Sequence, residues 1–127
     1  MPIVLRVEDG EGRGFYHSPR RPDCVNEMYD YDRNPNFWDD DLLRRSHKKV
    51  WKQAIPDGYH FGFLNLQQYT NWIEDPNWRI ELHKVGFSLS VYSTKQFALG
   101  DCQILFKRKR ATKIAEIDMR TNKLKSL

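Results

Sequence analysis

Histidine and cysteine side chains can bind a metal ion, and a cysteine beside a histidine can act as a nucleophile, so their spacing in this 127-residue chain indicates whether such chemistry is available. The candidates are His17, Cys24, His47, His60, His83 and Cys102. No two of them stand at a spacing that metal sites use, such as Cys-x-x-Cys or His-Glu-x-x-His. Neither cysteine has a local nucleophile motif, and two distant cysteines do not indicate a disulfide. We therefore predict no metal site and two reduced structural thiols.

A run of four cations is the densest charge in the sequence, formed by Lys107, Arg108, Lys109 and Arg110. Clustered cations bind nucleic acid through phosphate contacts, or bind the acidic surface of another protein. The same run is also typical of a solvated hairpin tip, and a net charge of +4 is low for a dedicated nucleic-acid-binding protein. The sequence leaves these alternatives open.

Residues 10–35 contain three clusters of Gly or Pro and no hydrophobic period, which predicts a long loop with one turn of helix at most. Long loops in compact domains are often functional. This loop either contacts a partner, covers a pocket or packs its own rings on the sheet. Its aromatic and charged side chains are Phe15, Tyr16, His17, Arg20, Arg21, Tyr29, Tyr31 and Arg33. It begins with alternating glycines at Gly10, Gly12 and Gly14, which do not match a nucleotide-binding loop and indicate a flexible turn.

The composition is that of a single folded domain. The chain is 39% hydrophobic, 30% charged and 13% aromatic, and disordered chains are poor in aromatic residues. It has no apolar run long enough to span a bilayer and no signal-peptide pattern at its start, so we expect a cytoplasmic protein with no membrane partner.

Residues 2–7 alternate and are apolar on both faces, which predicts an interior strand. Arg6 in this strand either lies at the rim of the sheet beside a carboxylate or reaches into a pocket. The rim is favoured, because an unpaired buried guanidinium is costly. Residues 36–54 have helical spacing and acidic residues near their start, which predicts a helix ended by the turn at Pro56.

Residues 59–94 read as a strand, two helices and a second strand. Gly62 indicates a close backbone approach, and Asn65 with Gln68 has the capping-box spacing. The first helix should bury Leu66, Tyr69, Trp72 and Ile73, and the second should begin at Asp75-Pro76, bury Trp78, Leu82 and Val85, and end at Gly86. Strict alternation over residues 87–92 predicts a half-buried strand.

Two further strands, at residues 102–106 and 112–118, should form a hairpin whose tip is the basic run, followed by a frayed tail from about residue 120. The predicted fold is therefore α+β: a single domain, mainly an antiparallel sheet of about five strands, with two to three helices.

The segments VLRVEDGEGRGFY, YHFGFLNLQQYTNWI, SVYST and CQILFKRKRATKI resemble a family of small, mostly uncharacterised bacteriophage accessory proteins. The resemblance covers the chain outside residues 23–54. It implies a protein that acts in the host cytoplasm by binding and modulating a host protein or nucleoprotein, in host takeover or anti-defence.

A second, shorter set of residues resembles the ADP-ribosyltransferase fold. Arg6 on the first strand, residues 61–65 before a helix and Gln103 at the start of a late strand stand at comparable points. This resemblance implies an enzyme using NAD, with Arg6 on a phosphate and with Tyr16 or His17 in the pocket. Gln103 replaces the carboxylate that the reaction of that family needs, so the binding protein, which needs no cofactor, is the preferred hypothesis.

Overall fold

The computed structural model describes residues 2–16, 18–28 and 58–125 of the chain. The strands in these ranges are β1 (Ile3–Glu8), β2 (Tyr59–Gly62), β3 (Ser88–Ser93), β4 (Phe97–Leu99), β5 (Ile104–Lys107), β6 (Thr112–Asp118) and β7 (Lys123–Lys125). The α-helices are α1 (Cys24–Glu27), α2 (Leu66–Trp72) and α3 (Pro76–Lys84), and a 3₁₀ turn covers Arg108–Arg110. The fold is α+β, as predicted. The helix predicted at residues 36–54 lies outside the described residues, and no helix inside them is long and apolar enough to cross a membrane.

Four strands form an antiparallel sheet in the order β1-β3-β6-β7. β1 pairs with β3 along its whole length, so that Arg6 lies opposite Ser90 and Glu8 lies opposite Ser88. Because side chains alternate along a strand, this sheet has one face with polar and charged residues and one apolar face. The apolar face carries Leu5, Val7, Leu89, Val91 and Ile117.

The apolar face of this sheet packs against the helices. Tyr69, Ile73 and Leu82 have no exposed surface, and they join the apolar face of the sheet in one cluster. The helix starts agree with the sequence. Asn65 Oδ1 accepts a hydrogen bond from the backbone N–H of Gln68 at 2.9 Å, and Asp75 Oδ1 accepts one from Asn77 at 2.9 Å.

The second sheet has three antiparallel strands in the order β2-β5-β4. It joins the first sheet where Leu5 and Phe63 exchange two backbone hydrogen bonds, of 2.8 and 2.6 Å. A Cβ atom at Gly62 would lie 2.6 Å from the carbonyl oxygen of Leu5, so the predicted close approach at this glycine is confirmed.

The prediction that β3 is half-buried is wrong, because β3 is buried on both faces. Ser90 has no exposed surface and Tyr92 is 3% exposed, although both stand on the polar face. The second sheet covers that face: Val4 and Tyr92 cluster with Ile104 and Phe106 of β5. Alternation along one strand cannot reveal that another sheet lies above it.

The predicted basic hairpin is also wrong. β5 pairs with β2 and β4, one on each edge, and β6 pairs with β3 and β7, so β5 and β6 belong to different sheets. The basic run is therefore the crossover from the second sheet back to the first. Both edges of β5 are occupied, which leaves β6 to pair with β3.

Three smaller details differ from the expectation. Leu66 is 43% exposed, because it is the first residue of α2, at the end of the helix that extends past the core. Trp78 and Val85 are only partly buried against the core. The chain after residue 120 turns at Asn122 and forms β7 against Glu116, Ile117 and Asp118, where the composition had suggested fraying.

Two leucines allow a matched test of this core. We expect Leu82→Ala to lower the free energy of unfolding by about 2–5 kcal/mol, because it empties a fully buried site. Leu66→Ala, the same deletion on an exposed helix position, should change it by less than about 0.5 kcal/mol. Urea unfolding measures both, and equal losses would contradict the packing of the helices described above.

Candidate functional site

Arg6 and Glu8 form a charged pair in the interior of the protein. They stand two residues apart on β1 and therefore project from the same face, the one that the second sheet covers. Their side chains are 8% and 3% exposed, and Arg6 Nε donates to Glu8 Oε2 at 3.2 Å. The sequence favoured a position for Arg6 at the rim of the sheet beside a carboxylate. The carboxylate partner is present, but the pair lies in the interior between the two sheets and not at the rim.

The carboxylate of Glu8 is shared by three donors from different parts of the chain. Besides Arg6, Arg108 Nε donates to Glu8 Oε2 at 3.1 Å, and the Tyr92 hydroxyl donates to Glu8 Oε1 at 2.5 Å. Arg108 Nε is also 3.0 Å from the Tyr92 oxygen. A buried carboxylate is tolerated only when its lone pairs and its charge are compensated, and here both are.

The protonation of this cluster follows from those contacts. Burial acts to raise the pKa of Glu8, but the hydrogen bonds from Tyr92 and Arg108 outweigh it, so the pKa of this carboxyl lies below its usual 4.5. Burial and the bond to the Glu8 carboxylate raise the pKa of Tyr92 to about 12. At neutral pH the cluster therefore holds two guanidinium charges, one carboxylate and a neutral phenol.

The remaining donors of Arg6 bind backbone carbonyls. Its Nη1 donates to Phe61 of β2 at 2.7 Å, and its Nη2 lies 3.4 Å from the carbonyl of Gly12. Burial lowers the pKa of this guanidinium, although Glu8 opposes the shift. Arg6 therefore ties β1 both to the second sheet and to the turn that follows β1.

The glycines of that turn make room for the two guanidiniums. A Cβ at Gly12 would lie 2.5 Å from Nη2 of Arg108, and one at Gly14 would lie 3.1 Å from Nη2 of Arg6. Gly12 also has a φ of +82°, which side chains disfavour. The spacing that suggested a flexible turn instead allows close packing around the charged cluster.

Asp9 holds this turn in shape. Its Oδ1 accepts hydrogen bonds from the backbone N–H groups of Glu11 and Arg13 at 2.9 and 3.0 Å. Its Oδ2 accepts from Arg13 Nε at 3.0 Å and from the Ser18 hydroxyl at 2.7 Å. The turn is thus organised by side chains of its own segment.

His60 lies beside the cluster on β2 and is partly buried. Burial, and then the positive charges of Arg6 and Arg108, lower its pKa below 6.5. The imidazole is therefore neutral at pH 7 and adds no third positive charge. Within the described ranges, no three His, Cys, Asp or Glu side chains group as a metal site would require.

The four cations of the basic run have different roles in the structure. Arg108 turns inward to Glu8 and Tyr92, and Lys107 Nζ lies 5.3 Å from the centre of the Tyr59 ring, within cation–π range. Lys109 and Arg110 complete the 3₁₀ turn and are exposed. The inward contacts of Arg108 thus fix a turn that presents the next two cations to solvent.

The loop residues predicted to contact a partner differ in their exposure to solvent. Phe15 is 8% exposed, and its ring packs on Tyr16 with centroids 4.4 Å apart, so it belongs to the core. Arg20 and Arg21 are exposed. Tyr29, Tyr31 and Arg33 lie outside the described residues.

The residues assigned by the resemblance to ADP-ribosyltransferases do not gather in one pocket. Arg6 is on the polar face of the first sheet, whereas Tyr16 packs against the core on the apolar face and accepts a hydrogen bond from Trp72 Nε1 at 3.1 Å. Gln103 is buried just before β5, and His17 lies outside the described residues. A cleft of about 200 Å³ is lined by other residues, namely Gln68, Asn71, Trp72, Glu74, Asp101 and Cys102.

Glu8 and Tyr92 are the members of the cluster that the sequence analysis missed. The signal for Glu8 was an acidic residue two positions after Arg6 on the same strand, hence on the same face. Tyr92 carried no such signal. Its alternation with Phe87, Leu89 and Val91 placed it on the face assumed to be solvated.

We expect Glu8→Gln to destabilise the protein by about 3–5 kcal/mol at pH 7, because it leaves the buried Arg6 guanidinium without its counter-charge and removes the anionic partner of the partly exposed Arg108. Glu11→Gln is the matched control. The Glu11 side chain is 70% exposed and pairs with Arg13 at the surface, so the loss should stay below about 1 kcal/mol. Chemical denaturation measures both; similar small losses would show that Glu8 does not compensate the two arginines.

The lowered pKa of Glu8 also predicts how the difference in stability between the wild type and Glu8→Gln depends on pH. Because the pKa of Glu8 is lower in the folded state than its usual 4.5, its stabilising effect is complete above pH 4.5 and is lost as the pH falls through the folded-state pKa. The difference in unfolding free energy between the wild type and Glu8→Gln should therefore shrink below pH 4.5. A difference that stays constant from neutral to strongly acidic pH would contradict the shift.

The comparison with protein families gives a match over most of the chain. The model of the family described as "Bacteriophage T4 Y00F protein" matches residues 1–120, which include β1, the charged cluster and the basic turn. No curated protein and no solved structure matches the chain, so the resemblance to ADP-ribosyltransferases gains no support. The predicted relation to a family of phage proteins is confirmed: the chain belongs to the Bacteriophage T4 Y00F protein family.

Proposed function

We propose that this phage accessory protein binds an acidic surface of a host protein or nucleoprotein in the host cytoplasm and thereby modulates it. The contact surface is the basic turn, with Lys109 and Arg110 as its direct contacts. The observation that carries the proposal is the division of the basic run, in which Arg108 anchors the turn inside while its two neighbours are exposed.

The charge distribution supports this surface. Residues 107–125 contain eight Lys or Arg and two Asp or Glu, a formal charge of +6, while the whole chain has +4. The rest of the chain is therefore slightly acidic, and the positive field arises from one continuous segment. Such a field steers an acidic partner toward that side of the protein.

The contacts of Arg108, which hold the turn in place, support a role of the turn in binding a partner. Ordering a long cationic side chain and its backbone on binding costs free energy, and a turn already held in place by the fold avoids the backbone part of that cost. Arg108 contributes through the position it gives to Lys109 and Arg110.

Direct binding of nucleic acid is the second candidate, favoured by the same exposed cations. It would proceed through phosphate contacts, since the turn offers charge without base-reading geometry. The two candidates differ in their response to nuclease and salt. Phosphate binding falls steeply with added salt, whereas a protein contact that includes packed side chains persists.

We expect Lys109→Ala/Arg110→Ala to reduce the capture of the partner from host lysate by tagged protein about two- to thirtyfold, the effect of losing two exposed charge contacts of about 0.2–1 kcal/mol each. The control Arg79→Ala/Lys84→Ala removes the same net charge from α3, outside both the basic turn and the loop, and should leave capture unchanged. The captured protein is identified by mass spectrometry, and its affinity for each variant is then measured with the purified pair.

The experiment is run with and without nuclease and at two salt concentrations. Retention of one host protein after nuclease treatment supports the proposal. Loss with nuclease and in high salt would favour nucleic acid instead. Equal losses in both double variants would show that net charge alone, and not the basic turn, determines binding.

A further inference from the structure

β6 is paired along only part of its outer edge. Its inner edge pairs with β3 from Thr112 to Ile117, but β7 covers its outer edge only at Glu116, Ile117 and Asp118. Over the part of the chain that the structure describes, no strand lies beside the outer edge of residues 112–115. An open edge offers backbone N–H and C=O groups to another extended chain.

The side chains at this edge are accessible. Thr112, Lys113 and Ile114 are exposed, and Ile114 is 48% exposed despite being apolar. Ile114 stands where the pairing register shifts, since Val91 lies opposite Ala115 and Tyr92 opposite Lys113. It is thus the extra residue of a β-bulge, a device that discourages flat edge-to-edge pairing between copies.

Positive charge stands at both ends of the open edge. Lys109 and Arg110 precede Ala111 and the start of β6, and Lys125 of β7 lies opposite Glu116, where the open edge ends. The carboxylate of Glu116 pairs with Lys113 of the same strand, which leaves the cations at the two ends to act on an approaching segment. A second copy of this chain would bring the same cations against them. A nucleic acid could contact the cations but could not add backbone hydrogen bonds to the strand. An extended acidic polypeptide can form backbone hydrogen bonds with the strand edge and can also place carboxylates beside the cations.

From these observations we infer that β6 accepts an extended acidic segment of a partner protein as an additional strand along residues 112–115. The inference rests on the proposed function and names the chemistry of its partner. Backbone hydrogen bonds hold the segment, Ile114 contacts an apolar side chain, and carboxylates flanking that side chain meet Lys109, Arg110 and Lys125. At about 3.3 Å per residue the open edge accommodates about four residues.

The test is amide hydrogen exchange, followed by NMR, of the full ¹⁵N-labelled chain with a soluble peptide of alternating glutamate and valine. The peptide should slow exchange at amides within residues 112–115 and shift their resonances, and a peptide of alternating lysine and valine should do neither. Unchanged exchange at these amides with the acidic peptide would overturn the inference. So would slowed exchange that appears without peptide and increases with protein concentration, which would show pairing between copies.

Substitutions at the edge supply the matched controls. Ile114→Glu should weaken binding of the acidic peptide about fivefold, because it removes the apolar contact and adds a like charge, and Ile114→Lys should weaken it less, because it removes the same contact but adds an opposite charge. Leu124→Glu makes the same change at a 71% exposed residue of β7 and should have little effect. Equal weakening by both glutamate variants would contradict the edge as the binding site.

The inference and the proposed function can fail separately. If the host partner needs Lys109 and Arg110 but binds the Ile114→Glu variant normally, the basic turn is the contact surface and the edge of β6 is not a binding site. A second outcome is that a nucleic-acid probe shifts the resonances of Lys109 and Arg110 and leaves those of residues 112–115 unchanged. If the acidic peptide then has no effect, the inference that β6 accepts an additional strand is overturned.

Discussion

The carboxylate of Glu8 is the group on which the arrangement of the two sheets depends. It receives Arg6 from its own strand, Tyr92 from the neighbouring strand and Arg108 from the end of β5 in the other sheet. The buried Arg6 guanidinium could not lie this close to the guanidinium of Arg108 without an anion between them. The apolar contacts of Tyr92 with Phe106 would hold the sheets together in any case, but the charged cluster specifies how their ends meet.

That constraint extends to the surface of the protein. Because Arg108 is fixed from inside, the crossover between the sheets becomes a defined 3₁₀ turn, and β6 starts at a defined point beside β3. The exposure of Lys109 and Arg110 and the start of β6 beside β3 are consequences of the same crossover. In the described part of this member of the Bacteriophage T4 Y00F protein family, two exposed cations therefore precede a strand whose outer edge is paired only at Glu116, Ile117 and Asp118.

Local signals in the sequence predicted local structure well. Asn65, Asp75-Pro76 and Gly86 mark helix ends that the structure confirms, and Gly62 marks a close backbone approach. The errors concern contacts between distant segments. The alternation of Ser88, Ser90 and Tyr92 reads as a solvated face, because only the second sheet makes it an interior. A strand, a basic run and another strand likewise read as a hairpin, because pairing partners depend on which edges are already occupied.

A double-mutant cycle with Glu8→Gln, Arg108→Gln and the double variant tests most directly whether Glu8 and Arg108 couple the two sheets. Urea unfolding at neutral pH gives the three changes in free energy. Because the two side chains are in direct contact and the Glu8 carboxylate is buried, we expect an interaction free energy of at least about 1 kcal/mol. Changes that add to within about 0.3–0.5 kcal/mol would show that the two residues act independently, and would contradict the account.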